Sequence, residues 1–281
     1  MIDFHFHSLH SDGTDEPAEL ALMADRASLY AACLTDHDTV DGIPAFLAMQ
    51  DRVSTRLLAG TELSCIFLGR SLHMLGLLVD HEDTTFQARL HDLRARRADR
   101  NHRMVKRLQE LGYGLSLEDV AAQADSPLLS RVHFAKALKA KGYVTRPQEA
   151  FEKLIGDGCP AWVERDELTP KEAVQWIREA GGVPVVAHPG RFHGGNFAWA
   201  EPMAQLRDLG VAGFEAYYGD YQPAQQHHFL RLSEKLRMAV SGGSDYHGAN
   251  KPGLRLGVGR GSLNVPDSLL ADLEDRKRRG A

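Results

Sequence analysis

The sequence predicts an α/β domain, a mostly parallel sheet with helices outside it, carrying a small all-helical insertion. Three observations point there. Short apolar runs alternate with amphipathic stretches of helical length near both ends of the chain. Between about residues 83 and 165 that rhythm gives way to helices alone. The 281 residues are 43% hydrophobic and 25% charged with glycine and proline scattered, which excludes disordered, collagen-like and fibrous chains and suits one large core.

Residues 2–7 read as a strand and 17–29 as a helix with Pro17 in its first turn. A buried strand at 31–35 and a helix at 40–53 follow, then strands at 57–67 and 72–79. In the insertion, Leu90, Leu93, Met104, Leu108 and Leu111 form an apolar stripe at helical spacing, with further helices at 116–124, 130–139 and 148–154. The α/β rhythm resumes with a helix at 169–180, a strand at 183–187, a helix at 201–209 and a strand at 213–217. A helix at 223–237, a strand at 238–241, a last strand near 257–263 and a helix from Pro266 complete the pattern. The expected division is a barrel-like body of residues 1–82 and 166–281 with an insertion of 83–165.

Charge and cysteine content narrow the function. A net charge of -5 argues against a duplex DNA surface. No apolar run of about 18 residues is present, so no membrane span is expected, and no secretory leader is visible at the N-terminus. Cys33, Cys65 and Cys159 are too sparse for a disulfide framework or a cysteine zinc site and read as reduced, buried thiols of a cytoplasmic protein.

The fourteen histidines are the unusual entry, and their placement matters more than their number. His5 and His7, two apart on a strand, share a face, and Asp12 follows in the next loop. His37 follows the second strand, Glu62 and His73 lie in the next two, His188 ends the strand at 183–187, and Asp245 and His247 follow the strand at 238–241. Strand ends of a parallel α/β sheet converge on the ligand-binding face. Nine imidazoles and carboxylates gathered there without cations would cost several kcal/mol in desolvation and repulsion. Divalent zinc, manganese or iron suits this donor set, and nine ligands exceed the needs of one ion. His10, His81, His91, His102, His227 and His228 lack such placement and read as surface residues, as does Asn250.

The motifs Asp3-Phe4-His5-Phe6-His7 with Ser11-Asp12-Gly13, Thr35-Asp36-His37-Asp38, Gly60-Thr61-Glu62, Ala187-His188-Pro189 and Gly242-Gly243-Ser244-Asp245-Tyr246-His247 resemble, in order, those of the PHP (polymerase and histidinol phosphatase) family of metal-dependent phosphoesterases. The resemblance implies a distorted (β/α)7 barrel holding three divalent metal ions, manganese foremost, with iron or zinc as alternatives. By position, it implies that His5, His7, Glu62 and Asp245 hold one ion. Glu62 would bridge to a second held by His73 and His188, and Asp12, His37 and His247 would hold the third. Within the family, the insertion and length look most like the branch acting on AMP and on nucleoside 3′,5′-bisphosphates such as adenosine 3′,5′-bisphosphate, whose relatives also trim short RNA from its 5′ end. A small nucleotide is then the expected partner, with short RNA as a second.

The expected chemistry is phosphomonoester hydrolysis by metal-bound water, with ions neutralising the phosphoryl oxygens. Ser8, Ser11 and Ser244 read as turn and cap residues. His193 and Tyr246 are candidate proton donors to the leaving group. From Asp92 to Gly112 seven basic residues face three acidic ones, and Arg97 and Asn101 fall on the apolar stripe. Ser130 reads as the N-cap of a helix whose Arg131 and His133 could meet an anion. With Arg191, Asp12 and His37 these make the candidate substrate contacts, and the insertion is expected to act as a substrate cap. The rival readings are a histidinol-phosphate phosphatase, whose cationic substrate calls for extra carboxylates, a non-catalytic metal-binding module, and a metal-dependent amidohydrolase. The last should carry a lysine at a strand end, and none is apparent.

Overall fold

The computed structural model describes residues 1–124, 129, 131–163, 168–192 and 199–280. They form two compact units, Met1–Leu90 with Glu167–Ala281, and His91–Asp166.

The first unit is a seven-stranded sheet whose spatial order equals its chain order: β1 (Ile2–Phe6), β2 (Ala31–Leu34), β3 (Arg56–Phe67), β4 (Arg70–Leu77), β5 (Val183–Val186), β6 (Gly213–Tyr218) and β7 (Ala239–Gly243). The pairs β1–β2, β2–β3, β5–β6 and β6–β7 are parallel, whereas β4 runs antiparallel to both neighbours. The sheet nearly closes on itself. Past the end of β7, Asp245 N–H donates to the His5 carbonyl (2.8 Å), and His7 N–H donates to the Tyr246 carbonyl (2.9 Å). This is the distorted barrel that the motifs imply, and β4 is the distortion. Phe67 pairs with Arg70 across the two-residue turn Leu68-Gly69, both at positive φ (50° and 72°), the turn geometry that matches strand twist.

Helices α1 (Pro17–Arg26) and α2 (Ile43–Leu47) follow β1 and β2. The helix expected over 40–53 is shorter because Pro44, lacking an N–H, is accommodated only in a first turn; a 3-10 turn, Gln50–Arg52, is all that follows. Helix α3 (Thr84–Glu110) begins in the first unit, where Phe86 and Leu90 are buried. The stripe expected on it holds except at Leu111, which is 46% exposed because the helix has ended and Gly112 (φ 87°) turns the chain. In the second unit α3 continues with α4 (Leu117–Ala121), α5 (Arg131–Ala140) and α6 (Pro147–Ala150), around Met104, Leu108, Phe134, Leu138 and Ile155. Ser116 and Asp119 close α4 with a capping box.

Back in the first unit, α7 (Pro170–Glu179) opens on a capping box of Thr169 and Glu172, and α8 (Ala200–Asp208), α9 (Pro223–Leu236) and α10 (Ser268–Arg279) complete the helices. The barrel core joins Ile2, Phe4, Leu75, Leu77, Val183 and Val185. Each such side chain contributes roughly 1.5–3 kcal/mol of apolar burial. The strand expected at 257–263 does not form among the described residues. Gly257, Gly259 and Gly261 sit at positive φ, so the segment turns, with one isolated bridge between Arg255 and Gly259. Instead of pairing in the sheet, Gly257 N–H donates to Asp3 (2.7 Å), whose other oxygen accepts His5 N–H and Ser244 N–H.

Candidate metal centre

The His-x-His of β1 places both imidazoles on one buried face, each fully inaccessible. His5 Nδ1 lies 3.1 and 3.2 Å from the two Glu215 carboxylate oxygens, which directs Nε2 to the opposite side. There His5 Nε2 and His7 Nε2 stand 3.1 Å apart, and each lies 3.2 Å from Glu62 Oε2 and 3.5 Å from Asp245 Oδ1. Ligands about 2.1 Å from a divalent ion in a tetrahedron stand about 3.4 Å apart, so the spacing of His5, His7 and Asp245 suits a shared cation, with Glu62 Oε2 at similar distance from both imidazoles. Glu62 Oε2 also lies 3.2 Å from His37 Nδ1, yet both atoms are buried without a hydrogen bond. A carboxylate oxygen ringed by imidazole nitrogens and bonded to none is a place for positive charge.

Around this centre the remaining donors fall into overlapping groups. Glu62 Oε1 is 2.9 Å from both His73 Nδ1 and His188 Nε2. Asp12 Oδ1 is 3.2 Å from His247 Nε2 and 3.4 Å from His7 Nδ1, and Asp12 Oδ2 is 3.6 Å from His37 Nε2. All nine candidate ligands therefore meet in one place, in groups able to hold metal ions. Two reach it from within strands, where the sequence places them. His73 comes from the first half of β4, because that strand runs in reverse, and Glu62 lies midway along β3, which extends beyond the barrel rim. His188, Asp245 and the neighbouring Asp38 have positive φ (27°, 54° and 52°), left-handed turns that aim side chains back over the rim.

Electrostatics suits cation binding. Burial holds His37 down at about 3 and lowers His188 and His247, which favours the uncharged rings that ligate. For Glu62, burial acts upward, but the imidazoles of His37, His5 and His73 outweigh it and keep the carboxyl well below its usual range. For Asp245, burial is likewise outweighed, by Lys251 and then His5. Burial disfavours charge on His5 and His7 too, yet the surrounding carboxylates raise His5 well above its ordinary value and His7 to about 9. A cation would replace those protons.

The site opens into a cleft of about 350 Å³ whose wall includes Asp12, His37, Arg191, Phe192 and Lys251. Arg191 reaches Asp220 (3.2 Å) and Asp245 Oδ2 (3.4 Å) and lies over the Tyr218 ring. Tyr246 is absent from the described wall. Its hydroxyl donates to Asp15 (3.1 Å), and burial, then Asp15, pushes its pKa up to about 12. His193 and Ser130 lie outside the described residues. Arg97, Asn101, Arg131 and His133 belong to the second unit, where Asn101 is buried with its amide on Arg100 and the Leu129 carbonyl, and Arg131 pairs with Asp157 (2.8 Å).

Sequence reasoning missed Glu215, Tyr218, Asp36 and Lys251. Asp36 accepts Ser8 and Ser11 hydroxyls (2.6 and 2.5 Å) and so fixes the loop carrying Asp12, giving those serines an anchoring role. Glu215 was detectable as a lone acid in the apolar run of β6. Lys251 had no signal: it reaches the cleft because the turn after His247 is fastened by Asn250, whose amide donates to the Asp12 carbonyl (3.0 Å). That contact also corrects the reading of Asn250 as a merely solvated residue.

Residues 3–114 match the family model described as PHP domain. A 3′,5′-nucleoside bisphosphate phosphatase of Chromobacterium violaceum is 30% identical, over 91% of this chain and 90% of that protein. A 5′-3′ exoribonuclease of Haemophilus influenzae is 29% identical (87% and 89% covered), and a phosphoribosyl 1,2-cyclic phosphate 1,2-diphosphodiesterase of Eggerthella lenta 28% (88% and 94%). Among solved structures, one described as an amidohydrolase from Chromobacterium violaceum with bound sulfate superposes with TM-score 0.78 at 30% identity, covering 98% of this chain and 96% of that one. A metal-dependent phosphoesterase described as such from Bifidobacterium adolescentis does so with TM-score 0.76 at 27% identity, with the same coverage. With this full-length similarity behind the motifs and the clustered donors, the chain belongs to the PHP domain family of metal-dependent phosphoesterases.

Proposed function

We propose that this phosphoesterase is a phosphomonoesterase of nucleotides, removing phosphate from nucleoside 3′,5′-bisphosphates such as adenosine 3′,5′-bisphosphate and from AMP, with short 5′-phosphorylated RNA as a further substrate. The observation that carries the reading is the cleft wall. Every acidic side chain on its described part, Asp12, Glu62 and Asp245, belongs to the candidate ligand set, and the charged residues left over are cations, Arg191 and Lys251. A cationic amine substrate such as histidinol phosphate finds no spare carboxylate there, whereas a phosphate-rich nucleotide finds positive charge. The similarity to a nucleoside bisphosphate phosphatase and to an exoribonuclease supports the same choice.

The residues divide the work. Following the family resemblance, His5, His7, Glu62 and Asp245 would hold one divalent ion, His73 and His188 with Glu62 a second, and Asp12, His37 and His247 a third, with manganese foremost and iron or zinc as alternatives; each of the nine falls in a group of donors close enough for an ion. Such ions, when bound, neutralise phosphoryl charge and activate water for in-line attack. Glu215 and Tyr218 hold His5 and Asp245 in place from behind. Arg191 offers a guanidinium to the phosphate, suited to two-pronged contact with its oxygens. Leu72, Ala187 and Phe192 make part of the wall apolar and limit competing water.

The test is phosphate release by manganese-reloaded protein from AMP, adenosine 3′,5′-bisphosphate, histidinol phosphate and a short 5′-phosphorylated RNA. Turnover of the nucleotides above histidinol phosphate is expected. Activity confined to histidinol phosphate overturns the substrate reading, and inactivity on the whole panel points to a non-catalytic metal-binding module.

A further inference from the structure

Lys251 belongs to none of the ligand groups, yet it lines the cleft, 26% exposed, with Nζ 2.6 Å from Asp245 Oδ2. That oxygen also accepts the Tyr218 hydroxyl at 2.6 Å and faces Arg191 NH1 at 3.4 Å. Three donors on one carboxylate oxygen exceed its two lone pairs. The buried phenol already holds that oxygen, so the ammonium is a further donor on an acceptor that is engaged without it. Its position is not accidental. The turn bearing Lys251 is clamped by Asn250 on the Asp12 carbonyl and by Ala249 N–H on Thr14 Oγ1.

Asp220 is shared between Arg191 and Arg260 (3.2 and 2.5 Å), so it neutralises only part of the pair. Asp245 turns its other oxygen toward His5 and His7, in the group that fits a cation. Once that oxygen is committed to a divalent ion, little negative charge remains to balance Lys251 and Arg191, and both face the cleft. We propose that Lys251, with Arg191 beside it, anchors a doubly ionised phosphate group and sets the preference of the cleft for phosphomonoester dianions over phosphodiesters. The proposal rests on the phosphomonoesterase reading above. A diester carries one negative charge over two terminal oxygens, against two charges over three in a monoester dianion, so it gains less from the ammonium.

The experiment compares manganese-reloaded wild type, Lys251→Met and Lys251→Arg at pH 8. Affinities for orthophosphate and for dimethyl phosphate are read from ligand-dependent shifts in thermal unfolding, with bound manganese measured by elemental analysis. Loss of one charge-assisted contact is expected to weaken orthophosphate binding about 10-fold in Lys251→Met, and dimethyl phosphate binding by less than about 3-fold. Manganese content should be unchanged, and Lys251→Arg should recover most of the orthophosphate affinity. In turnover, Lys251→Met should lower kcat/KM for 4-nitrophenyl phosphate more than for bis(4-nitrophenyl) phosphate. Equal weakening of the two anions, or loss of manganese from Lys251→Met, overturns the proposal and makes Lys251 a prop for Asp245. If wild type hydrolyses no monoester, the phosphomonoesterase reading fails, and the binding measurements still decide the role of Lys251.

Discussion

Glu215 is fully buried in the middle of β6 and carries two separate duties. Its carboxylate receives His5 Nδ1 and, at 2.6 Å, the backbone N–H of His188, a residue at positive φ. One acid thus fixes a tautomer on one candidate ligand and the backbone of another. Replacing it by glutamine keeps the shape but presents an amide N–H to at least one of those donors. Glu215→Gln is therefore expected to lower manganese affinity about 10–100-fold with the fold retained, as measured by chelator competition and circular dichroism. Unchanged affinity would show that His5 is oriented by packing alone.

At the scale of elements, the site depends on the seam between β1 and β7. Gly243, the last residue of β7, has no room for a side chain: a Cβ would lie 2.4 Å from His5 Cβ and 2.6 Å from its backbone nitrogen. The His5 Cβ and backbone nitrogen are not a flexible side-chain end and cannot yield alone, so Gly243→Ala must push the strands apart. Overpacking of this kind costs about 1–3 kcal/mol, to be read from urea unfolding of the cation-free protein. Manganese content should fall with it, since His5 is the atom group displaced. A variant as stable as wild type with full metal content would contradict the tight seam. The neighbouring elements explain which parts of the fold were legible in sequence. Strand existence followed from local apolar runs, but the direction of β4 did not, because His73 alternates with the same neighbours whichever way the strand runs. The turning segment at 257–263 also misled, since its apolar residues suit a strand while three glycines at positive φ forbid one.

For the molecule as a whole, the barrel closes around a concentration of buried ionisable groups that its apolar core must tolerate. In the cation-free fold the carboxylates are balanced by protons on imidazoles, with His7 raised to about 9 and His5 raised as well. A raised histidine stabilises the fold fully below its unfolded value near 6.5, and that contribution is lost as pH rises through about 9. Chelated protein is accordingly expected to lose thermal stability across this window. Ligation requires neutral rings, so manganese uptake at pH 7 should release about two protons and tighten as pH increases toward 9. Calorimetry in buffers of different ionisation enthalpy measures the release directly, and a buffer-independent heat would exclude it.

The sequence by itself determined the α/β class, the helical interruption and the nine donors, because strand alternation and strand-end placement are local properties that a parallel sheet turns into a common face. His5 and His7 needed only their spacing of two. The tertiary structure decided what surrounds and tunes those donors. Glu215 lies 210 residues from His5, Asp36 buttresses a loop 25 residues before it, and Lys251 and Arg191 meet Asp245 from different turns. None of these has a periodic signature, since each contact is fixed by strand order, by the reversal at β4 and by left-handed turns at the rim. Burial then converts that arrangement into charge balance, a quantity that exists only once the chain has excluded water from the site.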